Sequence, residues 1–209
     1  MRTLELFAGT QSFTKGVLRA EPTSTCVTVD ILPRFRPTIQ ADLRTWEPPF
    51  APRSFDVVWC SPPCQEYSRA KTVGIRDLSG ADALVRRCFE IIDYLKPTFW
   101  IIENPESGLL PRRMPTIRQN IPFIDADYCA YGAPYRKRTR FWTNAPLVLR
   151  LCEGPGACPQ MNENRHKGSC GNTSARYNIY GSFSVWEKDA IPEGLIDAIV
   201  AVVRGRVAQ

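Results

Sequence analysis

Thr3-Leu4-Glu5-Leu6-Phe7-Ala8-Gly9-Thr10 opens with an apolar, partly β-branched run that breaks at Ala8-Gly9-Thr10; from Ser12 to Arg19, Phe13, Val17 and Leu18 then recur at helical spacing. The stretch reads as strand, glycine turn and helix. Working outward, Cys26 to Ile31 predicts a second strand with an acid, Asp30, near its end, and Phe55 to Cys60 predicts another buried strand; a Pro-rich connection containing Asp42 lies between them. From Ala81 to Leu95 the residues Leu84, Val85, Cys88, Ile91, Ile92 and Leu95 follow a 3.6-residue period, predicting an amphipathic helix stopped by Pro97. Thr98 to Ile102 is then a continuous apolar strand running into Glu103-Asn104-Pro105, and Ile191 to Val203 returns to a helix begun by Pro192. Such alternation predicts an α/β fold with a mostly parallel sheet and helices on both faces. Its ligands belong at the carboxyl ends of the strands.

With 209 residues, 44% hydrophobic and 23% charged, the chain has room for one such domain and a small appendage, and its composition argues against large-scale disorder. The excess of 27 Lys and Arg over 21 Asp and Glu gives a net charge of +6. That favours a polyanionic partner where the charge is local, as at Arg136, Lys137, Arg138 and Arg140, and otherwise serves solubility. Met1 to Leu6 runs directly into a strand pattern, and no apolar run reaches the roughly 18 residues that span a bilayer. These features predict a soluble intracellular protein, in the cytoplasm or the nucleoid or nucleus, with no membrane partner; they leave the oligomeric state open, with a monomer as the expectation. In that setting the eight cysteines read as thiols, metal ligands or a nucleophile rather than a disulfide framework.

Two stretches carry chemistry. Leu6-Phe7-Ala8-Gly9 is followed about twenty residues on by Asp30, whose carboxylate suits the hydroxyls of a cofactor ribose. Gln11 stands where a pyrophosphate-binding loop would have its second glycine, so a cofactor with a ribose and no phosphate fits better, S-adenosylmethionine being the commonest; an unliganded strand and turn is the alternative. Cys60-Ser61-Pro62-Pro63-Cys64-Gln65-Glu66-Tyr67-Ser68 directly follows a buried strand. Its two prolines stiffen the backbone ahead of Cys64, as a nucleophile requires, although a structural cysteine has the same spacing.

Pro-Pro-Cys-Gln-x-x-Ser, preceded by Leu-Phe-Ala-Gly and followed by Glu-Asn-Pro at the end of a later strand, resembles the ordered motif set of the DNA (cytosine-5) methyltransferases over about residues 3 to 144. The resemblance implies a Rossmann-like S-adenosylmethionine-dependent methyltransferase fold and methyl transfer to C5 of cytosine in DNA. It implies Cys64 as the nucleophile that adds to C6, Glu103 as the acid at N3 and the exocyclic amine, and Arg138 and Arg140 as the arginines beside the base. Phe7, Ala8, Gly9, Asp30, Ile31, Asp42, Leu43, Pro63 and Leu84 fall at the cofactor positions. The family's Glu-Asn-Val is Glu-Asn-Pro here; its Gln-x-Arg-x-Arg is matched with Tyr135 near the glutamine and one extra residue before Arg138. Lys188 to Pro192 replaces Gly-Asn-Ser-Val-Pro, which sets Asp189 at a cofactor position.

The chemistry explains these residue types. Cytosine C5 is a poor nucleophile until a thiolate adds at C6, and protonation at N3 drains the resulting charge, so an acid must face the Watson-Crick edge. Because those atoms lie inside a duplex, the DNA partner must offer a flipped-out base or a single strand. Two other functions stay open on the sequence: an RNA modifier of the tRNA type, and a non-catalytic DNA-binding relic.

Between the arginine motif and the last helix the family carries a large recognition region. Here the catalytic segment 1–144 is followed by a small insert, 145–177, and a C-terminal segment, 178–209. The insert contains Cys152, Cys158, the protein's single histidine, His166, and Cys170. Three thiols and an imidazole make a tetrahedral set suited to a structural Zn²⁺, and the insert has too few apolar residues to fold by burial. Scattered thiols and a disulfide are the other readings. Arg150, Arg165, Lys167 and Arg176 are candidates for phosphate contacts. So short an insert implies a target context of about two to four bases.

Overall fold

The computed structural model describes residues 1–169, 187 and 189–207. In chain order the described elements are β1 (Arg2–Leu6), α1 (Ser12–Ala20), β2 (Thr25–Asp30), β3 (Ile39–Gln40), β4 (Val57–Cys60), α2 (Leu78–Leu95), β5 (Phe99–Pro105), α3 (Leu110–Ile117), β6 (Phe123–Asp127), β7 (Arg138–Thr143), β8 (Met161–Asn162), β9 (Arg165–His166) and α4 (Glu193–Val207). The first seven strands form one sheet in the order β3-β2-β1-β4-β5-β7-β6, in which only β7 runs against its neighbours. The mostly parallel α/β sheet read from the sequence is therefore present, with an antiparallel strand near one edge. No described helix is long and apolar enough to cross a membrane.

Period-two alternation sends the central strands' side chains to two cores. Leu4, Leu6, Val58, Cys60 and Ile102 pack beneath α2 and α3 with Val85, Phe89, Leu95 and Met114. Val57, Trp59, Ile101 and Phe141 face α1 and α4, where Phe13, Val17, Leu195, Ile196 and Ile199 close over them. Phe13 stacks on Trp59 at 4.7 Å between ring centroids. Leu18, which helical spacing placed on the buried stripe of α1, is instead 39% exposed, because that stripe is narrow and turns toward α4 through Phe13, Gly16 and Val17.

The start of α1 is held from below. No side chain at its N-cap supplies an acceptor; instead Glu5 of β1 accepts from the Phe13 and Thr14 amides at 3.3 and 3.0 Å, satisfying N–H groups that a helix terminus leaves without partners. Burial pushes the Glu5 carboxyl up to about 7 against those hydrogen bonds.

The connections past β5 account for what periodicity missed. β6 and β7 carry aspartates and arginines at alternating positions, so neither reads as an apolar strand; Asp125 pairs with Arg140 and Asp127 with Arg138 across the antiparallel register. Residues 145 to 150 belong to the main body, since Ala145 and Leu147 are buried in the α1/α4 core and the Arg150 carbonyl accepts from the Asp127 amide at 3.1 Å.

Gly16 lets α1 and α4 approach closely: a Cβ there would stand 2.0 Å from Ile196 Cγ2 and 3.2 Å from Ile196 Cβ. Gly16→Ala gains helix propensity but overpacks a rigid β-branched contact. The expected outcome is a net loss of about 1 to 2 kcal/mol in urea denaturation, largely relieved when Ile196→Ala is added. Additive single effects in that double-mutant cycle would disprove the contact's role.

Candidate active site

A cavity of about 400 Å³ opens at the carboxyl ends of β1, β2, β4 and β5. Phe7, Ala8, Gly9, Asp30, Ile31, Asp42, Leu43, Pro63 and Leu84, all the cofactor positions read from the sequence, line it together with Cys64 and Glu103.

The wall after β1 is a strained turn. Phe7 and Gly9 both have left-handed backbone, with φ of 56° and 46°, unusual for the phenylalanine and natural for the glycine. Neighbouring bonds hold it: the Ala8 amide donates to the Val29 carbonyl at 3.2 Å, the Gln11 amide to the Ala8 carbonyl at 2.6 Å, and the Gly9 amide to Asp30 Oδ2 at 2.9 Å. The other Asp30 oxygen accepts from the Leu32 amide at 2.8 Å. An ionised carboxylate offers about four acceptor positions, so each oxygen keeps capacity toward the cavity. Asp42, on the far wall, is chelated by Arg44, whose Nη2 and amide lie 2.6 and 3.0 Å from its oxygens; these bonds hold the carboxyl below its ordinary value.

This wall fits S-adenosylmethionine. Apolar faces of Phe7, Ile31, Leu43 and Leu84 can flank a purine, and Asp30 offers a ribose its carboxylate at the strand end. Asn104 also lines the cavity, and its Oδ1 is buried without a hydrogen-bond partner among the described residues.

Cys64 and Glu103 come from the ends of adjacent parallel strands, where Cys60 of β4 pairs with Ile102 of β5. Asn104 Nδ2 donates to the Pro62 carbonyl at 2.9 Å, tying the cysteine loop to β5 inside the protein. Trp59 Nε1 donates to Ser61 Oγ at 2.9 Å, and the Ser61 hydroxyl acts on the Glu103 carboxyl from nearby. Beyond Cys64 the loop is braced by Tyr67, whose hydroxyl donates to Asp82 at 3.0 Å while Arg113 Nε clasps the same carboxylate at 2.9 and 3.1 Å.

Burial pushes the Glu103 carboxyl above the ordinary carboxylate range, with Asp189 adding and Lys137 and Ser61 opposing. Burial and the neighbouring Glu103 push the Cys64 thiol up as well, with Lys137 again opposing. Lys137 and Asp189 are thus part of the site, and both line the cavity.

Arg138 and Arg140 are not on the cavity wall. Arg138 Nη2 and Nε bind the buried Asp127 at 2.7 and 3.0 Å, Arg136 Nε binds it at 3.2 Å, and Arg140 binds Asp125 at 2.8 and 2.9 Å while stacking over Phe123. Alternation along β7 explains the outcome: Arg138 and Arg140 share the aspartates' side, and Lys137, just ahead of the strand, is offset from them by one and three residues. The matching two-residue spacing of Asp125-Asp127 and Arg138-Arg140 was the available signal. Against burial, which would raise it, Arg138, the Cys152 amide and Arg136 hold Asp127 below its ordinary value. Much of the basic run's charge is therefore neutralised internally.

A second cluster lies outside the cavity. Cys152, Cys158 and His166 do converge, and the structure adds Cys129, which spacing alone had not singled out; Cys170 lies outside the described residues, as does Arg176. Arg150 stacks over Tyr131 at 4.7 Å, and Lys167 Nζ donates to the Pro159 carbonyl at 2.8 Å.

Comparison with known proteins bears on the family and the fold. Residues 1–121 match the family model described as C-5 cytosine-specific DNA methylase. A protein of Frog virus 3 (isolate Goorha) named "Probable DNA (cytosine-5)-methyltransferase" is 39% identical over 184 residues, covering 80% of this chain and 82% of that one. Among solved structures, the Entamoeba histolytica methyltransferase EhMeth aligns with a TM-score of 0.50 at 18% identity, over 72% of this chain and 56% of that chain. Spodoptera frugiperda DNMT2, solved as a mutant, aligns at 0.48 and 16% identity, over 72% and 54%. The chain spans about half the length of these solved structures, and the likeness to EhMeth is one of fold.

The electrostatics are open to test by alkylating the protein with iodoacetamide across pH and following the Cys64 peptide by mass spectrometry. Its midpoint should lie above that of an exposed cysteine, move down in Glu103→Gln and move up in Lys137→Met. Midpoints unchanged in both variants would show that the three groups do not interact.

Proposed function

Because the chain belongs to the C-5 cytosine-specific DNA methylase family, we propose that it transfers the methyl group of S-adenosylmethionine to C5 of cytosine in DNA, with Cys64 as nucleophile and Glu103 as acid. The observation that carries this reading is the sharing of one cavity by Cys64, Glu103 and the nine cofactor positions. When bound, S-adenosylmethionine supplies an electrophilic methyl group. Asp30 would accept from its ribose, and Phe7, Ile31, Leu43 and Leu84 would exclude water from its purine.

The remaining steps belong to the protein and the base. The Cys64 sulfur forms a bond to C6, the C5–C6 π electrons become available at C5, and N3 takes a proton from Glu103. Burial fits Glu103 to this task, since it keeps the carboxyl protonated to higher pH. After C5 has been alkylated, loss of its proton to a base, expulsion of the Cys64 thiolate from C6 and return of the N3 proton to the Glu103 carboxylate restore the aromatic ring and the acid. Lys137, rather than Arg138 or Arg140, would be the cation beside the ring and the thiolate, since it alone of the three lines the cavity. Cys64 is half-buried in that cavity, which favours a base flipped out of the duplex or presented by a single strand. Retention of Cys64 and Glu103 in one cavity argues against a relic. The Frog virus 3 relative is named for DNA, and parallel assays on DNA and RNA decide between those substrates.

With radiolabelled cofactor, Cys64→Ser should give no transfer while its affinity for S-adenosylmethionine stays nearly unchanged, because a hydroxyl is a far weaker nucleophile near neutral pH. DNA containing 5-fluorocytosine should form an adduct with the wild type that survives denaturing gels, and none with the variant. Wild-type turnover by Cys64→Ser would end the assignment.

Replacing Lys137 with Met should lower kcat about 100-fold, the scale of losing one stabilising donor at a reacting centre. Arg138→Ala and Arg140→Ala should act chiefly on the denaturation midpoint. The reverse pattern would return the cationic role to the arginines.

A further inference from the structure

We propose that Cys129, Cys152, Cys158 and His166 bind one Zn²⁺, which fastens the segment following β7 onto the β6 edge of the sheet. One ligand atom from each of the four lies within 4.8 Å of every other. His166 Nε2 is 3.5 Å from Cys152 Sγ and 3.7 Å from Cys158 Sγ. A tetrahedral zinc with Zn–S of about 2.3 Å and Zn–N of about 2.0 to 2.1 Å requires an S···N edge of about 3.6 Å, which the two separations from His166 already match.

The chemistry of the set selects the ion. Three thiolates and one imidazole are soft or borderline donors, suited to zinc and unsuited to magnesium or calcium. Four protein ligands leave no open position, the mark of a structural site. On binding, each thiol gives its proton to solvent; three thiolates and a divalent ion leave one net negative charge, and Arg136 acts electrostatically on His166. No described cysteine is in a disulfide.

The fold shows what the metal would do. Cys129 belongs to the 3-10 turn Tyr128–Tyr131 that directly follows β6 and is 1% exposed. The other three ligands lie beyond β7, in a stretch where Cys158 and Gly168 are the only buried residues between 151 and 169. With so little apolar burial to hold it, that stretch is tied to the body by a few hydrogen bonds, among them Gly168 amide to Pro134 carbonyl at 2.7 Å and Cys152 amide to Asp127 Oδ2 at 2.9 Å. Asp127 is the carboxylate that grips Arg138, so a metal on Cys152 would also brace the residue next to Lys137. The site stands on its own geometry and does not depend on the methyl-transfer reading.

The test is metal analysis of the full chain, purified without added metal. We expect about one zinc per chain, and a Co²⁺-substituted protein with tetrahedral d–d bands and thiolate-to-cobalt charge transfer. Cys129→Ser should weaken zinc binding by more than the roughly 10- to 100-fold that loss of a supporting partner costs, whereas Cys170→Ser and Cys26→Ser should keep one zinc. In the wild type, chelation should open tryptic cleavage after Arg165 and Lys167, and zinc should restore protection. A metal-free protein without a tetrahedral cobalt spectrum would overturn the proposal, as would a disulfide within the set. Loss of zinc in Cys170→Ser would also overturn it, and that arm decides the ligand set even if Cys129→Ser does not fold. None of these readouts requires methyl transfer.

Discussion

A single buried hydrogen bond, from Asn104 Nδ2 to the Pro62 carbonyl, holds the two halves of the reactive centre together. Parallel pairing of β4 with β5 brings Cys64 and Glu103 to the same edge of the sheet, but pairing ends at the strand termini and leaves the cysteine loop to find its own position. Two prolines narrow that search, and the amide of Asn104, 1% exposed, completes it. Losing the bond would leave a buried carbonyl without a partner, at about 1 to 3 kcal/mol, and would unfasten Cys64 from Glu103. The Trp59-Ser61 hydrogen bond and the Tyr67-Asp82-Arg113 brace secure the loop on either side of this bond.

How much of this was legible depends on which forces wrote each part. Strands buried on both faces must be apolar along their length, so β1, β2, β4 and β5 stand out in the sequence, as do α1, α2 and α4 by their stripes. The positions that the resemblance set at a cofactor follow strand ends, which is why they line one cavity. The β6–β7 hairpin was not legible, because its stability comes partly from ion pairs between residues 15 and 11 apart, and pattern along one strand cannot show a partner on another. The resemblance set Arg138 and Arg140 beside the base, and the same blindness hid the aspartates that hold them off the cavity wall, where Lys137 stands instead. Cys129 was missed for a related reason: β7 lies between it and Cys152, so no regular ligand spacing connects them.

The site sets opposed demands on two groups that share one cation. In the proposed reaction the nucleophile needs its proton removed and the acid needs its proton kept, yet burial raises both Cys64 and Glu103. Lys137 lowers both, and so helps the cysteine at the acid's expense. An ionised Glu103 also raises the thiol, so a protonated Glu103 favours the thiolate. Proton uptake by the acid and activation of the nucleophile are thereby linked without direct transfer between them.

The packing of α4 against α1 bears on the order in which the molecule is made. Ile191 and Asp189 form part of the cavity wall, the Ile191 amide donates to Ser12 Oγ at 3.3 Å, and the α4 side chains complete the core over Trp59. A ribosome delivers Cys64 long before it delivers these residues, and parallel strands joined by long crossovers pair slowly. During that interval the thiol has loop and strand around it but no finished chamber, and one face of the sheet lacks its cover. Delivery of α4 is therefore the step that seals both, so a chain stalled before α4 carries the cysteine without its enclosure.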